Sequence, residues 1–175
     1  MAPDPLTLTW TSPRGGPTAK SRTASATTSS GARVRVQTPP MAVQVYKNAG
    51  STTLILTPSG SDTDGEFVRF VAAYDAAAAA QTAEWTGVLA ARPTMGQGMR
   101  LMAWDDAQFF DADGVFCNEP PPDMRACSCL LEFGGVWLNG VSWGAKWRVV
   151  QVRAVQASAI GPARPPPAPV CAFSD

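Results

Sequence analysis

The side chains best equipped for chemistry in this chain are the carboxylates of two acidic turns, four thiols and six tryptophans, with no histidine to assist them. Without an imidazole, the chain lacks the commonest general base near neutral pH, the orienting member of Ser and Cys triads and the most frequent metal ligand. The acidic turns are Asp62-Thr63-Asp64-Gly65-Glu66 and Asp111-Ala112-Asp113-Gly114, the second preceded by Asp105 and Asp106. Carboxylates beside a glycine can wrap a calcium ion, which takes about six to eight oxygens. Neither turn supplies the third acidic position and distal Glu of a full calcium loop. Asp62, Asp64, Asp111 and Asp113 are therefore read as turn formers, with Asp-Gly providing the left-handed backbone of a β-turn. A glycosidase pair would need two carboxyls at a set separation across a sugar, which linear order does not fix. Sequence assigns no catalytic residue, no metal ligand and no cofactor.

Cys117, Cys127, Cys129 and Cys171 contain a C-x-C pair but no C-x-x-C, and their spacing fits no zinc pattern. They read as reduced core thiols, with disulfides between Cys117 and the C-x-C pair as the alternative. Trp10, Trp85, Trp104, Trp137, Trp143 and Trp147 are many for so small a chain. At alternating strand positions they fill cores and interfaces; exposed, they could stack on sugar rings, or on bases alongside Arg100 and Arg148. Gly96-Gln97-Gly98 lacks the Gly-Lys-Ser/Thr of a phosphate loop and reads as a tight turn. Lys146, between Trp143 and Trp147, alternates outward to solvent.

Holding these residues requires a body, and composition allows one. Only 16% of residues are charged against 45% hydrophobic, so 175 residues suffice for a single core. Thr11 to Gly31, rich in Ser, Thr, Gly, Ala and Pro without hydrophobic period, has the composition of an arm. Leu6, Leu8 and Trp10 alternate before it as an anchor. Pro162, Pro165, Pro166, Pro167 and Pro169 make an extended tail ending in the apolar Val170-Cys171-Ala172-Phe173. The expected organisation is an N-terminal arm over 1–40, a body over 41–159 and a Pro-rich C-terminal arm over 160–175. Residues 1–40 carry Arg14, Lys20, Arg22, Arg33 and Arg35 against Asp4, hence +4, whereas 41–159 carry eight bases against twelve acids, hence −4. Opposite signs on arm and body favour head-to-tail contacts between copies, or weak attraction of the arm to nucleic acid. No secretion signal and no membrane-length apolar run is found.

Strand patterns dominate the body. Arg33 to Gln37 alternates; Met41 to Val45, the turn at Asn48-Ala49-Gly50-Ser51 and Thr52 to Thr57 read as a hairpin. Phe67 to Tyr74 reads as a central strand, and Met99 to Trp104 as another. Cys127 to Phe133, a Gly134-Gly135 turn and Val136 to Trp143 read as a second hairpin. Ala145 to Ala157 switches parity and predicts a β-bulge near Val149 and Val150. One short helix is expected over Asp75 to Glu84, capped by Asp75 and carried by five alanines. The class is all-β: a β-sandwich, jelly roll preferred, with one short helix and extended arms.

The expected function is that of a non-enzymatic virion structural protein, either a capsid coat subunit or a capsid decoration (cement) protein. Its arms would reach other copies of itself and other capsid subunits. A dense Arg-rich arm of the kind that condenses RNA is absent, which shifts weight towards decoration or a duplex-DNA virus. The alternative is a carbohydrate-binding β-sandwich with tryptophan platforms.

Overall fold

The computed structural model describes residues 7–15, 21–48, 51–86 and 90–156. They form a β-rich fold with one helix and one large sheet. Its spine is a long antiparallel pair, β11 (Ala126–Asn139) and β12 (Ser142–Ala154). Asn139 makes the reversal between them: its Oδ1 accepts from the backbone N–H of Val141 (3.0 Å) and of Ser142 (2.7 Å), as an Asx turn does.

Shorter strands attach along both free edges of this pair. On the outer edge of β11 lie β2 (Ser21–Ala24), β4 (Val34–Gln37) and β5 (Met41–Asn48), all antiparallel to it. β5 continues into β6 (Ser51–Thr57) and β8 (Met99–Ala103). On the outer edge of β12 lie β7 (Ala90–Arg92) and β9 (Gln108–Phe110), both parallel to it, and β10 (Phe116–Cys117) closes that side. A separate small ribbon pairs β1 (Thr9–Trp10) with β3 (Ala26–Thr27).

Several expectations are met. The 41–57 hairpin forms in register Ala42 to Thr57. The bulge falls where the parity switch placed it: Leu130 pairs with Gln151 and Leu131 with Val149, leaving Val150 as the extra residue.

Two expectations are corrected. The first is the helix, α1, which spans Asp62–Thr86, 25 residues rather than a short Asp75-capped segment. Phe67 to Tyr74 lies inside it and is not a strand. Phe67, Val71, Tyr74 and Ala78 recur at spacings of four, three and four, and all four are buried. That is one helical face, and an aromatic run without a turn residue satisfies it as well as it satisfies a strand. The first acidic turn is the helix start: Ser61 Oγ accepts from Asp64 N–H (3.2 Å), a side-chain N-cap. Asp64 Oδ2 in turn accepts from the N–H groups of Ser59 (2.6 Å) and Gly60 (3.2 Å), and its negative charge suits the helix N-terminus.

The second correction concerns Gly134-Gly135, which is no turn: β11 runs straight through it. Gly134 is the unmatched residue of a second bulge, between the pairs Phe133 with Trp147 and Gly135 with Lys146. Gly135 has φ +111°, and a Cβ there would stand 2.0 Å from the Ala24 carbonyl oxygen. Gly135 admits the close approach of the Ala24–Ala26 backbone.

The N-terminal stretch is described in part. Within 1–40, β2 and β4 pair with the β11 edge. Trp10 stands edge-on to Phe133 (6.0 Å) and to Trp85 of the helix (6.1 Å). Backbone pairing needs no hydrophobic period, so a Ser/Thr-rich stretch can supply edge strands. The segment 160–175, Leu6 and the Ala49-Gly50 turn lie outside the described residues.

The core sits between α1 and the inward face of the sheet. Tyr74 packs on Phe133 (ring centroids 5.0 Å) and Trp147 (5.6 Å), and Phe133 and Trp147 are 4.9 Å apart. Each such ring contributes about 1.5–3 kcal/mol by leaving water. No helix among the described residues is long and apolar enough to cross a membrane.

A basic tryptophan groove as candidate functional site

Along β12 the outer edge is taken by β7 at Ser142 to Gly144 and by β9 at Gln151 to Arg153. Among the described residues no strand pairs with the stretch between them on that side, and a groove of about 440 Å³ opens there against β8. Alternation on β8 turns Met99, Leu101 and Ala103 inward and presents Arg100 and Met102 outward, with Trp104 next in the same parity.

The opposite wall is a cross-strand row. Register places Trp137 of β11 opposite Gly144 of β12, and Gly144 opposite Arg92 of β7. A Cβ at Gly144 would stand 2.6 to 2.8 Å from Cζ2, Cε2 and Nε1 of Trp137, so the indole lies across the glycine. It reaches the next strand, where the Arg92 guanidinium carbon sits 5.6 Å from the ring centroid in a cation–π contact. Lys146, two residues beyond Gly144, shares this face and is exposed. Trp147 closes the wall from the core side, its Nε1–H buried without an acceptor among the described residues.

The electrostatics are one-sided. Ion pairs join Arg33 (3.8 Å) and Arg35 (3.1 Å) to Glu132, Lys47 to Glu119, and Arg148 to Asp106. Arg92, Arg100 and Lys146 belong to none of them, and the described lining carries no carboxylate and no thiol. Thr94 of the lining donates its N–H (2.9 Å) and hydroxyl (2.5 Å) to Asp75, and Asp105 follows Trp104 in the chain without lining the groove. Three cations and a free indole face, Trp104 at 53% exposure, suit a ligand with negative charge and a flat or ring-shaped body. What the lining offers a ligand is those cations and the indoles of Trp104 and Trp137.

The other residues singled out from sequence are elsewhere. Asp111 forms the expected turn: its Oδ1 accepts from the N–H of Asp113 (3.0 Å) and Val115 (2.8 Å), and Gly114 has φ +84°. Asp62 and Asp64 are in the first turn of α1, and among the described residues no three His, Cys, Asp or Glu side chains cluster to hold an ion. Cys127 and Cys129 are buried free thiols with sulfurs 3.8 Å apart, and Cys117 is free as well. The contact with Cys127, reinforced by burial, raises the Cys129 thiol pKa well above the ordinary cysteine range. Arg148, expected beside a base-stacking tryptophan, is held by Asp106 instead.

Arg92 and Gly144 were not singled out from sequence. The signal that finds them is Gly144 within a strand otherwise dense in tryptophan and valine, a mark of close approach. Comparison with protein families, with curated proteins and with solved structures finds no match for this chain.

Proposed function

We propose that the chain is a non-catalytic structural protein of a virion, a coat subunit or a capsid decoration protein that contacts copies of itself. The observation that supports this most directly is the β10 edge, the last strand on its side of the sheet. Val115, just before it, and Phe116 within it are more than half exposed, apolar surface of the kind that marks a contact with another chain. Large apolar side chains are also exposed elsewhere: Tyr46 on β5 and Val141 at the tip of the β11–β12 hairpin. A subunit of a closed shell meets neighbours on several sides, and such patches are its contact points. A jelly roll belongs to this reading as its finer form; the strand order supports the sandwich-like class.

Light scattering on the full chain tests the reading. A mass several times that of one 18.4 kDa chain is expected, with Val115→Glu and Phe116→Glu returning it to the monomer. A full chain that stays monomeric at every concentration overturns it. The second reading, a carbohydrate-binding module, rests on the exposed face of Trp104 beside Trp137. Glycan-array binding lost in Trp104→Ala would favour it.

A further inference from the structure

We infer that the groove between β8 and β12 binds single-stranded nucleic acid, with a base stacked on Trp104 and phosphates held by Arg92, Arg100 and Lys146. This site is separate from the β10 edge and does not require the assembly proposed above.

Charge complementarity chooses the ligand. A neutral sugar is usually gripped by carboxylates and amides that bond its hydroxyls, and the described lining has neither. A polyanion, conversely, is repelled by carboxylates, and the three cations here are free of them. Stacking platforms interleaved with cations along an open groove are how single strands are bound without sequence preference. Trp104 offers the open indole face. Trp137 is covered by Gly144 and carries Arg92, so the pair presents a guanidinium held in place by the ring beneath it.

Two of the N-terminal arginines are already engaged within the chain. Arg33 and Arg35 flank the buried Glu132, and Glu132 neutralises part of that charge. Among the described residues Arg69, Arg125 and Arg153 on the body are in no ion pair either, but Arg92, Arg100 and Lys146 are the three that share a groove with exposed tryptophan. A duplex fits poorly, because its bases are already stacked and cannot lie on Trp104 without unpairing.

The test uses the full chain and a fluorescein-labelled oligothymidylate of about twelve nucleotides, within the span of single-strand sites. Polarisation reports binding, and tryptophan quenching reports stacking. Binding is expected at about 50 mM salt and should weaken with a log–log slope of roughly −2, as three phosphate contacts on a single strand predict. Trp104→Ala should weaken it by at least about fivefold through lost stacking. Arg100→Gln and Lys146→Gln should each reduce the slope by roughly 0.7. Thermal melts confirm that the variants are folded, and light scattering confirms that their oligomeric state is unchanged.

Absence of oligothymidylate binding overturns the inference. Binding that ignores Trp104→Ala, or that heparin reproduces with equal indifference to it, also overturns it, since charge alone would then suffice. Preferential binding of a neutral glycan dependent on Trp104 would reassign the groove to sugars.

Discussion

Replacing Gly144 by alanine places a Cβ 2.6 Å from Cζ2 of Trp137, well inside contact distance, and the indole must lift. Two losses follow. The guanidinium of Arg92 loses its ring at 5.6 Å, about 0.5–1 kcal/mol at an exposed site. Crowding a packed position costs a further 1–3 kcal/mol or so. Against this, removing a glycine from a strand interior gains roughly 0.5–1 kcal/mol in backbone entropy. The crowding wins, leaving a net destabilisation of about 1–3 kcal/mol. For a chain of this size that is a fall in Tm of roughly 2–12 °C, from about 2–4 °C per kcal/mol. Thermal denaturation of Gly144→Ala, Trp137→Ala and the double variant separates the cause. With the indole gone the clash is gone, so in the Trp137→Ala background the same alanine should be stabilising by roughly 0.5–1 kcal/mol, the backbone gain alone. An equal cost in both backgrounds would refute the idea that Gly144 is there to let the indole pass.

Gly135→Ala should be far more damaging, because the added Cβ meets backbone, the Ala24 carbonyl at 2.0 Å, at φ +111°. A loss of at least about 3 kcal/mol in urea unfolding is expected, with rapid proteolysis within 21–27 as β2 and β3 detach. Glu132→Gln removes the buried partner of Arg33 and Arg35 and should cost about 1–2 kcal/mol, discounted because both arginines are about half exposed. The cost should shrink in high salt. The folded Cys129 thiol keeps its proton at a pH where the unfolded thiol, near 8.5, loses it. Its contribution is therefore full below that value and declines as pH rises above it, and Cys129→Ala should flatten the alkaline side of the stability profile. Iodoacetamide on the folded chain should modify Cys117 well before Cys127 or Cys129, which a mass spectrum of the digest reads directly.

Legibility in the sequence followed how local each determinant is. The hairpin over 41–57, the strand at Val34–Gln37, the bulge at Val150 and the Asp111 turn are all set by neighbours a few residues apart, and each is readable. The helix was missed for its first half because Phe67 to Tyr74 is dense in aromatic and β-branched residues. Only the recurrence at Phe67, Val71, Tyr74 and Ala78 separates a helical stripe from a buried strand. Gly134-Gly135 carries the composition of a turn, and its real reason, the carbonyl of Ala24, is over a hundred residues away in sequence. β2 and β3 are held by backbone bonds and small side chains, so Ser21–Ala24 and Ala26–Thr27 leave little pattern to detect. The tryptophans were visible, but the groove was not. Arg92, Gly144 and Trp137 become one row only when the registers of three strands are known.

The dominance of the β11–β12 pair bears on how the chain is made. β2, β4 and β7 find their strand partners in residues 126–154, all of which leave the ribosome after them. Until that hairpin emerges, the β5–β6–β8 ribbon can close, but the Ser/Thr-rich strands have no template and the aromatic face of α1 has no Phe133 or Trp147 to cover it. Completion is thus a late, long-range event of the slow kind that non-local pairing imposes. From the completion of α1 until Phe133 and Trp147 have been added, the nascent chain carries that apolar helix face without these partners, an interval in which aggregation competes with folding.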